Sequence, residues 1–335
     1  MIKISDTELS PVRKIDGGAG PVVYFGTPIH GGDDVTKVGA TYLIDNNIFN
    51  FICKNSIPDT FVKFISYASR FGLELNPAFA ISELFRTAKD PGGYLRYYQK
   101  HLQNNFNIKI TDNILNNYTS LVLRNKPIFT ENIHQIECFM AIIKEIYNSH
   151  LSENDMVDVF LKKIFDKDLP YLIYPIYAGL IFFFVKQNIH NQISIRKKID
   201  SFLSLKENYD SEKKSLHNIS TDISIFLDCR ELYTHSYSNY PSVYSIVTCD
   251  EVVGYLLNNL CVHSVTCPNN GRYSSQVAIR DSSEWKDRFN SYETQIKETF
   301  NRRNIGTDKD ILNRSKNLKN EGMLAINRYV RLTSR

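Results

Sequence analysis

Residues 40–52, ATYLIDNNIFNFI, decide how the chain is to be read. The apolar run 40–44 stops abruptly at Asp45. Ile48, Phe49, Phe51 and Ile52 then recur at helical spacing, so the stretch predicts a strand, a polar junction and a helix start. Residues 243–253, VYSIVTCDEVV, repeat the pattern: a buried strand over 243–247, the junction Thr248-Cys249-Asp250, and a helix over 251–260. Between them lies a helix over 58–71, with Phe61, Phe64, Ile65 and Ala68 on one face. A short strand over 73–75 comes next, broken by Asn76-Pro77, and then a helix carrying Ala80, Ile81, Leu84 and Phe85. Strand–helix alternation of this kind predicts an α/β fold, a parallel sheet with helices on both faces.

Four carboxylates sit where strands stop or helices begin: Asp45, Glu83, Asp222 and Asp250. In an open parallel sheet, ligands bind beyond the carboxyl ends of the strands. Asp45 and Asp250 emerge at that edge, Glu83 lies about a turn into the helix after the second strand, and Thr221-Asp222 opens a helix of its own. Carboxylates that converge repel one another unless a cation compensates. Oxygen-rich acidic sites select hard ions such as Mg²⁺ or Mn²⁺, and these can activate water and clamp a displacement at phosphorus.

With those residues in view, the chain resembles the PIN-domain nucleases. YLIDNNIF resembles the family's opening strand and aspartate, and LELNPAFAISELF the second strand and the helix bearing its glutamate, 38 residues after Asp45. STDISIFLDCREL resembles the helix with the third acid, and YSIVTCDEVV the fourth strand with its T-x-D ending. The resemblance implies a three-layer α/β/α PIN-like parallel sheet. It implies Mg²⁺ or Mn²⁺ on Asp45, Glu83, Asp222 and Asp250, with Asn47 and Thr248 as polar supports. It also implies metal-dependent hydrolysis of phosphodiester bonds, in RNA rather than DNA and most of all in single-stranded RNA. Glu83 and Asp222 are 139 residues apart, so the extra helical material is an insertion. Asp228 rivals Asp222 as the third acid. Six residues turn a helix by about 600°, so the two do not share a face, and Asp222 is preferred as the one at the helix start.

The remaining chain divides by texture. Residues 1–39 hold seven of the 15 glycines and read as turns joining short strands, of which 22–25 (VVYF) is the clearest; no phosphate-loop spacing occurs there. The PIN-like part covers 40–93 and 215–270, a helical insertion 94–214, and a basic helical tail 271–335. Within the insertion, 196–214 is polar and reads as a loop or exposed helix. LPYLIYPIYAGLIFFFV (169–185) is 17 uncharged residues, short of the roughly 20 that span a bilayer, and reads as a buried helix beginning near Pro175. No membrane association is expected. Hydrophobic residues at 42% and charged ones at 23% exclude disorder, collagen and coiled coil.

Net charge is only +4, but residues 301–335 hold nine Lys/Arg against three Asp/Glu. Arg302, Arg303, Arg314, Lys316 and Lys319 are therefore candidates for phosphate contacts. Tyr94, Tyr97 and Tyr98 beside Arg96 and Lys100 have the composition of a stacking surface for single-stranded nucleic acid, or of ordinary packing. Tyr233, Tyr237, Tyr240 and Tyr244 with His235 lie between the third and fourth acids, with the same two readings. Six scattered cysteines and an opening without a signal segment fit a reducing cytoplasm. Cys249, Cys261, His263 and Cys267 match no usual zinc spacing and read as buried strand residues. The alternative to the nuclease is a non-catalytic PIN-like module that binds nucleic acid or serves assembly. Homo-oligomerisation or a regulatory protein partner is compatible with either.

Overall fold

The computed structural model describes residues 13–16, 21–26, 41–69, 74–170, 172–188, 193–235, 244–266, 274–280, 283–301 and 308–333. Two short strands come first, β1 (Arg13–Ile15) and β2 (Val23–Gly26). Then follow β3 (Thr41–Ile44), α1 (Asn46–Cys53), α2 (Asp59–Ala68), β4 (Glu74–Asn76) and α3 (Ala78–Thr87). Helices fill the middle: α4 (Pro91–Phe106), α5 (Asp112–Tyr147), α6 (Glu153–Asp166), α7 (Ile173–Gln187), α8 (Ile193–Phe202) and α9 (Tyr209–His235). The chain continues with β5 (Tyr244–Thr248), α10 (Glu251–Asn259), β6 (Leu260–Thr266) and β7 (Ser274–Ile279). It ends with α11 (Lys286–Asn301) and α12 (Asp308–Thr333). This is an α/β fold in which helix predominates. It divides into two compact units, 1–130 with 225–276 and 131–224 with 277–335, the divisions falling inside α5, α9 and β7.

The first unit is built on a five-stranded sheet in the order β1-β2-β5-β3-β4. All four residues of β3 are buried, as suits a central strand with covered faces, and β3 pairs in parallel with β4 on one side and β5 on the other. The sheet is mixed where the sequence reading expects a parallel one. β2 pairs antiparallel with the outer edge of β5, and β1 antiparallel with β2. The glycine-rich N-terminal region thus supplies the two strands that extend β5. CVHSVTC does not join this sheet either: β6 pairs with β7 in a separate two-stranded one, and β7 puts a strand into a region expected to be helical throughout.

Neighbouring residues of β2 point to opposite faces and meet different helices. Phe25 packs edge-on against Phe64 of α2 at 5.0 Å, whereas the Tyr24 ring lies against Gly254 of α10. Tyr42 of β3 also meets Phe64, at 5.2 Å, which fixes α2 on the sheet. On α1, Phe49 stacks on Tyr98 of α4 at 4.9 Å, holding α4 beside it. The edge strand β4 is tied down at Glu74, whose carboxylate accepts from Thr41 (3.0 Å) and from the Tyr118 hydroxyl of α5.

The second unit has α7 at its centre, with every residue from Ala178 to Val185 buried. The uncharged stretch is thus a core helix with Pro175 in its first turn, where a proline's missing N–H is no loss. No helix among the described residues is long and apolar enough to cross a membrane. Phe183 meets Phe160 of α6 edge-on at 5.5 Å, and Phe184 stacks on Tyr292 of α11 at 5.7 Å. α12 docks on α5 at Gly322, where an added Cβ would lie 2.9 Å from the Cys138 Cα. Buried Glu321 of α12 lies 3.4 Å from Lys163 and 3.5 Å from Arg328, and both cations also reach Glu145, at 2.8 and 3.0 Å. Lys144 of α5, fully buried, pairs with Glu212 of α9; burial lowers its pKa and the carboxylate opposes that shift.

α9 corrects one boundary. Asp222 does not open a helix: α9 begins at Tyr209, where Asn208 Oδ1 accepts from the Ser211 N–H at 2.9 Å. Leu216, Ile219 and Ile223, all buried at helical spacing, carry the helix through the polar stretch. Residues 196–214 accordingly belong mainly to α8 and the start of α9.

Candidate functional site

β3 and β5 are adjacent and parallel, with Ile44 opposite Val247. The residues after them, Asp45 and Thr248, therefore leave the sheet side by side at the carboxyl ends of their strands, and the Asp45 N–H donates to the Val247 carbonyl at 3.1 Å. The chain passes from β3 through α1 and α2 to β4 on one side, while β5 lies on the other. The β3–β5 junction is thus the topological switch point, where open α/β sheets leave a crevice for ligands.

Asp45 is 7% exposed and caps α1. Its Oδ1 accepts from the Ile48 N–H at 2.8 Å. Its Oδ2 accepts from the Thr248 hydroxyl at 2.7 Å and the Cys249 N–H at 3.2 Å. Burial raises its pKa to about 6; the three donors pull it down and the charge of Asp250 pushes it up. Asp250 caps α10, its Oδ1 accepting from the Val252 and Val253 N–H groups, each at 2.8 Å. Fully buried Thr248 links the two, because its hydroxyl donates to Asp45 and accepts from the Asp250 N–H at 2.9 Å. The Cys249 thiol between them is pushed up to about 12, by burial first and then by both carboxylates, so it stays protonated.

The structure adds a residue that sequence reasoning missed. Tyr24 of β2 is the register partner of Thr248, and its phenol is raised by burial and then by Glu251, Asp16 and Asp250. Its ring rests on Gly254 in the first turns of α10. Only the antiparallel β2–β5 pairing brings it there, and no local pattern in VVYF announces that partner.

Glu83 is half-buried, the sixth residue of α3, a helix begun by Asn76 Oδ1 accepting from the Ala78 N–H at 2.9 Å. Asn47 is exposed in the first turn of α1. Asp222 is half-buried in the middle of α9, on residues of the second unit. The side chain of Asp228 lies outside the described residues, as do those of His263 and Cys267 and of the tyrosines 233, 237, 240 and 244. Asp45 and Asp250 are thus brought together. Among the described residues, no three His, Cys, Asp or Glu side chains form a group that could hold a metal ion. As donors, the two aspartates have the oxygen chemistry that Mg²⁺ or Mn²⁺ takes, and a desolvated carboxylate beside a second one is the group a cation would relieve.

Of the proposed phosphate contacts, Arg302 and Arg303 lie outside the described residues. Arg314 is engaged with Asp168 at 3.1 Å, whereas Lys316 and Lys319 are exposed on α12. The tyrosine trio divides: Tyr98 is in the core, while Tyr94 and Tyr97 are 38% and 56% exposed. Comparison with protein-family models, with curated proteins and with solved structures found no match to this chain.

Proposed function

We propose that the β3–β5 crevice binds Mg²⁺ or Mn²⁺ and that the protein is a metal-dependent nuclease, hydrolysing phosphodiester bonds in single-stranded RNA. The observation that carries this reading is the pairing of Asp45 with Asp250 through Thr248 at the switch point. In this reading the fold is a PIN-like α/β/α nuclease with a helical insertion, working in the cytoplasm. It is supported by the fall of YLIDNNIF and YSIVTCDEVV on neighbouring parallel strands.

The bound ion would lower the pKa of a water and offset charge on the phosphate. Asp45 and Asp250 would hold it, and Glu83 and Asp222 are the further carboxylates the reading requires. The Thr248 hydroxyl orients Asp45, since its proton has one acceptor there and its oxygen is taken by the Asp250 N–H. The three donors on Asp45 keep its carboxylate ionised at neutral pH despite burial.

The second reading, a non-catalytic nucleic-acid-binding or assembly module, is favoured by a specific observation. Asp45 and Asp250 each cap a helix, a role that by itself accounts for a carboxylate at either position.

Labelled single-stranded RNA and DNA incubated with Mg²⁺ or Mn²⁺ separate the two. The nuclease reading expects cleavage that a chelator abolishes and that Asp45→Asn lowers by about a hundredfold or more, since even changing a group that only orients a metal ligand costs about ten- to a hundredfold. Thr248→Val should cost about ten- to a hundredfold, with weaker Mn²⁺ binding by paramagnetic resonance. Binding without cleavage by the unaltered protein would leave the module.

A further inference from the structure

We infer that the outer face of α4 is a stacking platform for the bases of a single-stranded nucleic acid, with Arg96 and Lys100 holding its phosphates. This rests on the nucleic-acid part of the proposed function and assigns the surface that the strand would occupy.

α4 is locked in rotation. Asp90 caps it through Oδ1 and the Gly93 N–H at 2.9 Å, and Leu95, Tyr98 and Leu102 are buried on its inner side. Tyr98 is held flat on Phe49. Outside that inner stripe the helix faces solvent, and along the border it carries Tyr94, Tyr97 and half-buried His101 at the i, i+3, i+7 positions, with Arg96 and Lys100 farther round the exposed side. The Tyr97 and His101 rings are already nearly parallel, 16° apart with centroids at 6.2 Å. Rings left outside a helix whose inner face is well packed are not needed for the core, and exposed aromatic surface marks interaction sites.

Charge selects the occupant. No Asp or Glu occurs from residue 91 to 111, whereas Arg96, Lys100 and Lys109 do, all exposed. The neighbouring α1 and its exit, 46–58, likewise hold no acid, and Lys54 is exposed there. Two carboxylates adjoin the helix among the described residues: Asp90 lies 4.0 Å from Arg96 with both side chains largely in water, a contact too weak to neutralise it, and Asp112 accepts from Gln99 at 2.8 Å, leaving Lys100 unpaired with either. Rings interleaved with cations, and bordered by exposed Gln103, Asn104 and Asn105 rather than aliphatic residues, suit a polyanion with open base faces. An apolar protein partner would find little to bury, and a duplex keeps its base faces stacked. The platform also adjoins the proposed site by one element: α1 is capped by Asp45 and ends at Cys53, whose thiol donates to the Tyr94 carbonyl at 3.4 Å. Eight helical residues span about 12 Å.

The test is fluorescence anisotropy of the full chain with labelled single-stranded oligo(rA), in chelator so that no cleavage intervenes. Tyr97→Ala should weaken binding about tenfold, and Tyr97→Phe, which keeps the ring, should not. Lys100→Ala should lower the slope of log K against log salt by about one, and Lys297→Ala on α11, an exposed lysine paired with Glu293, should leave affinity unchanged. Unaltered circular dichroism checks the fold of these exposed-site variants. The platform is overturned by Tyr97→Ala binding like the unaltered protein, by Tyr97→Phe losing as much as Tyr97→Ala, by duplex binding as tightly as single strand, or by no binding at all. Platform-dependent binding without cleavage in Mn²⁺ would overturn hydrolysis and leave the platform. Asp45-dependent cleavage with Tyr97→Ala binding unchanged would do the reverse.

Discussion

Asp45 illustrates how one side chain serves two demands. Three donors converge on its two oxygens, which stabilises the carboxylate, and burial opposes them strongly enough to raise its pKa from 3.8 to about 6. A carboxyl raised on folding binds its proton more tightly in the native state than in the unfolded chain. Its contribution to stability is therefore full below about pH 4 and lost as pH rises through about 6, a loss of roughly 3 kcal/mol for the metal-free protein. Urea unfolding at stepped pH should show this downward slope, and Asp45→Asn should flatten it. The amide has its own cost: its NH₂ must face one of the three donors, leaving a buried donor unmet at about 1–3 kcal/mol. A slope of equal size in Asp45→Asn would assign the pH dependence to another group.

At the scale of elements, the strands and helices whose signals are local were legible. Asp45 ends an apolar run and caps the helix that follows, and Asp250 does the same ten residues before β6 begins, so both junctions could be read from neighbours in sequence. The start of α9 was not legible, because Asp210 and Glu212 in its first turn have the composition of a solvated loop. What makes that turn helical is the buried pairing of Glu212 with Lys144, a partner 68 residues earlier. The antiparallel addition of β2 was hidden for the same reason: strand pairing is a long-range choice. Its signature is instead at Gly254, where an added Cβ would lie 2.5 Å from Tyr24 Cγ and 2.8 Å from Cδ1. Gly254→Ala should therefore destabilise the protein by about 1–3 kcal/mol despite better helix propensity. Combined with Tyr24→Ala, its effect should be clearly smaller than alone, by a double-mutant cycle of urea midpoints. Strict additivity would mean that the ring yields without strain.

For the whole molecule, the sequence reading recovered an α/β chain and the edge of a sheet at which Asp45 and Asp250, two of its four acids, meet. Asp45, Thr248 and Asp250 meet because two strand ends share a register, which the residues around each end specify. Bringing in Glu83 and Asp222 depends on the paths of α3 and α9, and Asp222 lies among residues of the second unit. The charge of the C-terminal region is partly balanced within its own unit, where Arg314 and Arg328 are paired with carboxylates. The helices that carry the chain from one unit to the other pose the sharper physical question. α5 runs for 36 residues with Pro127 inside it, three residues before the unit division at Thr130. An interior proline removes one backbone hydrogen bond and presses on the preceding turn, a cost of about 3 kcal/mol relative to alanine where nothing compensates. Pro127 is exposed, so alanine there would leave no cavity. Pro127→Ala should then raise the melting temperature. If the proline also weakens α5 as a mechanical link, it should bring the van't Hoff enthalpy closer to the calorimetric one, the mark of more cooperative unfolding. A melting temperature that stays put would show that α5 already accommodates the ring at no cost.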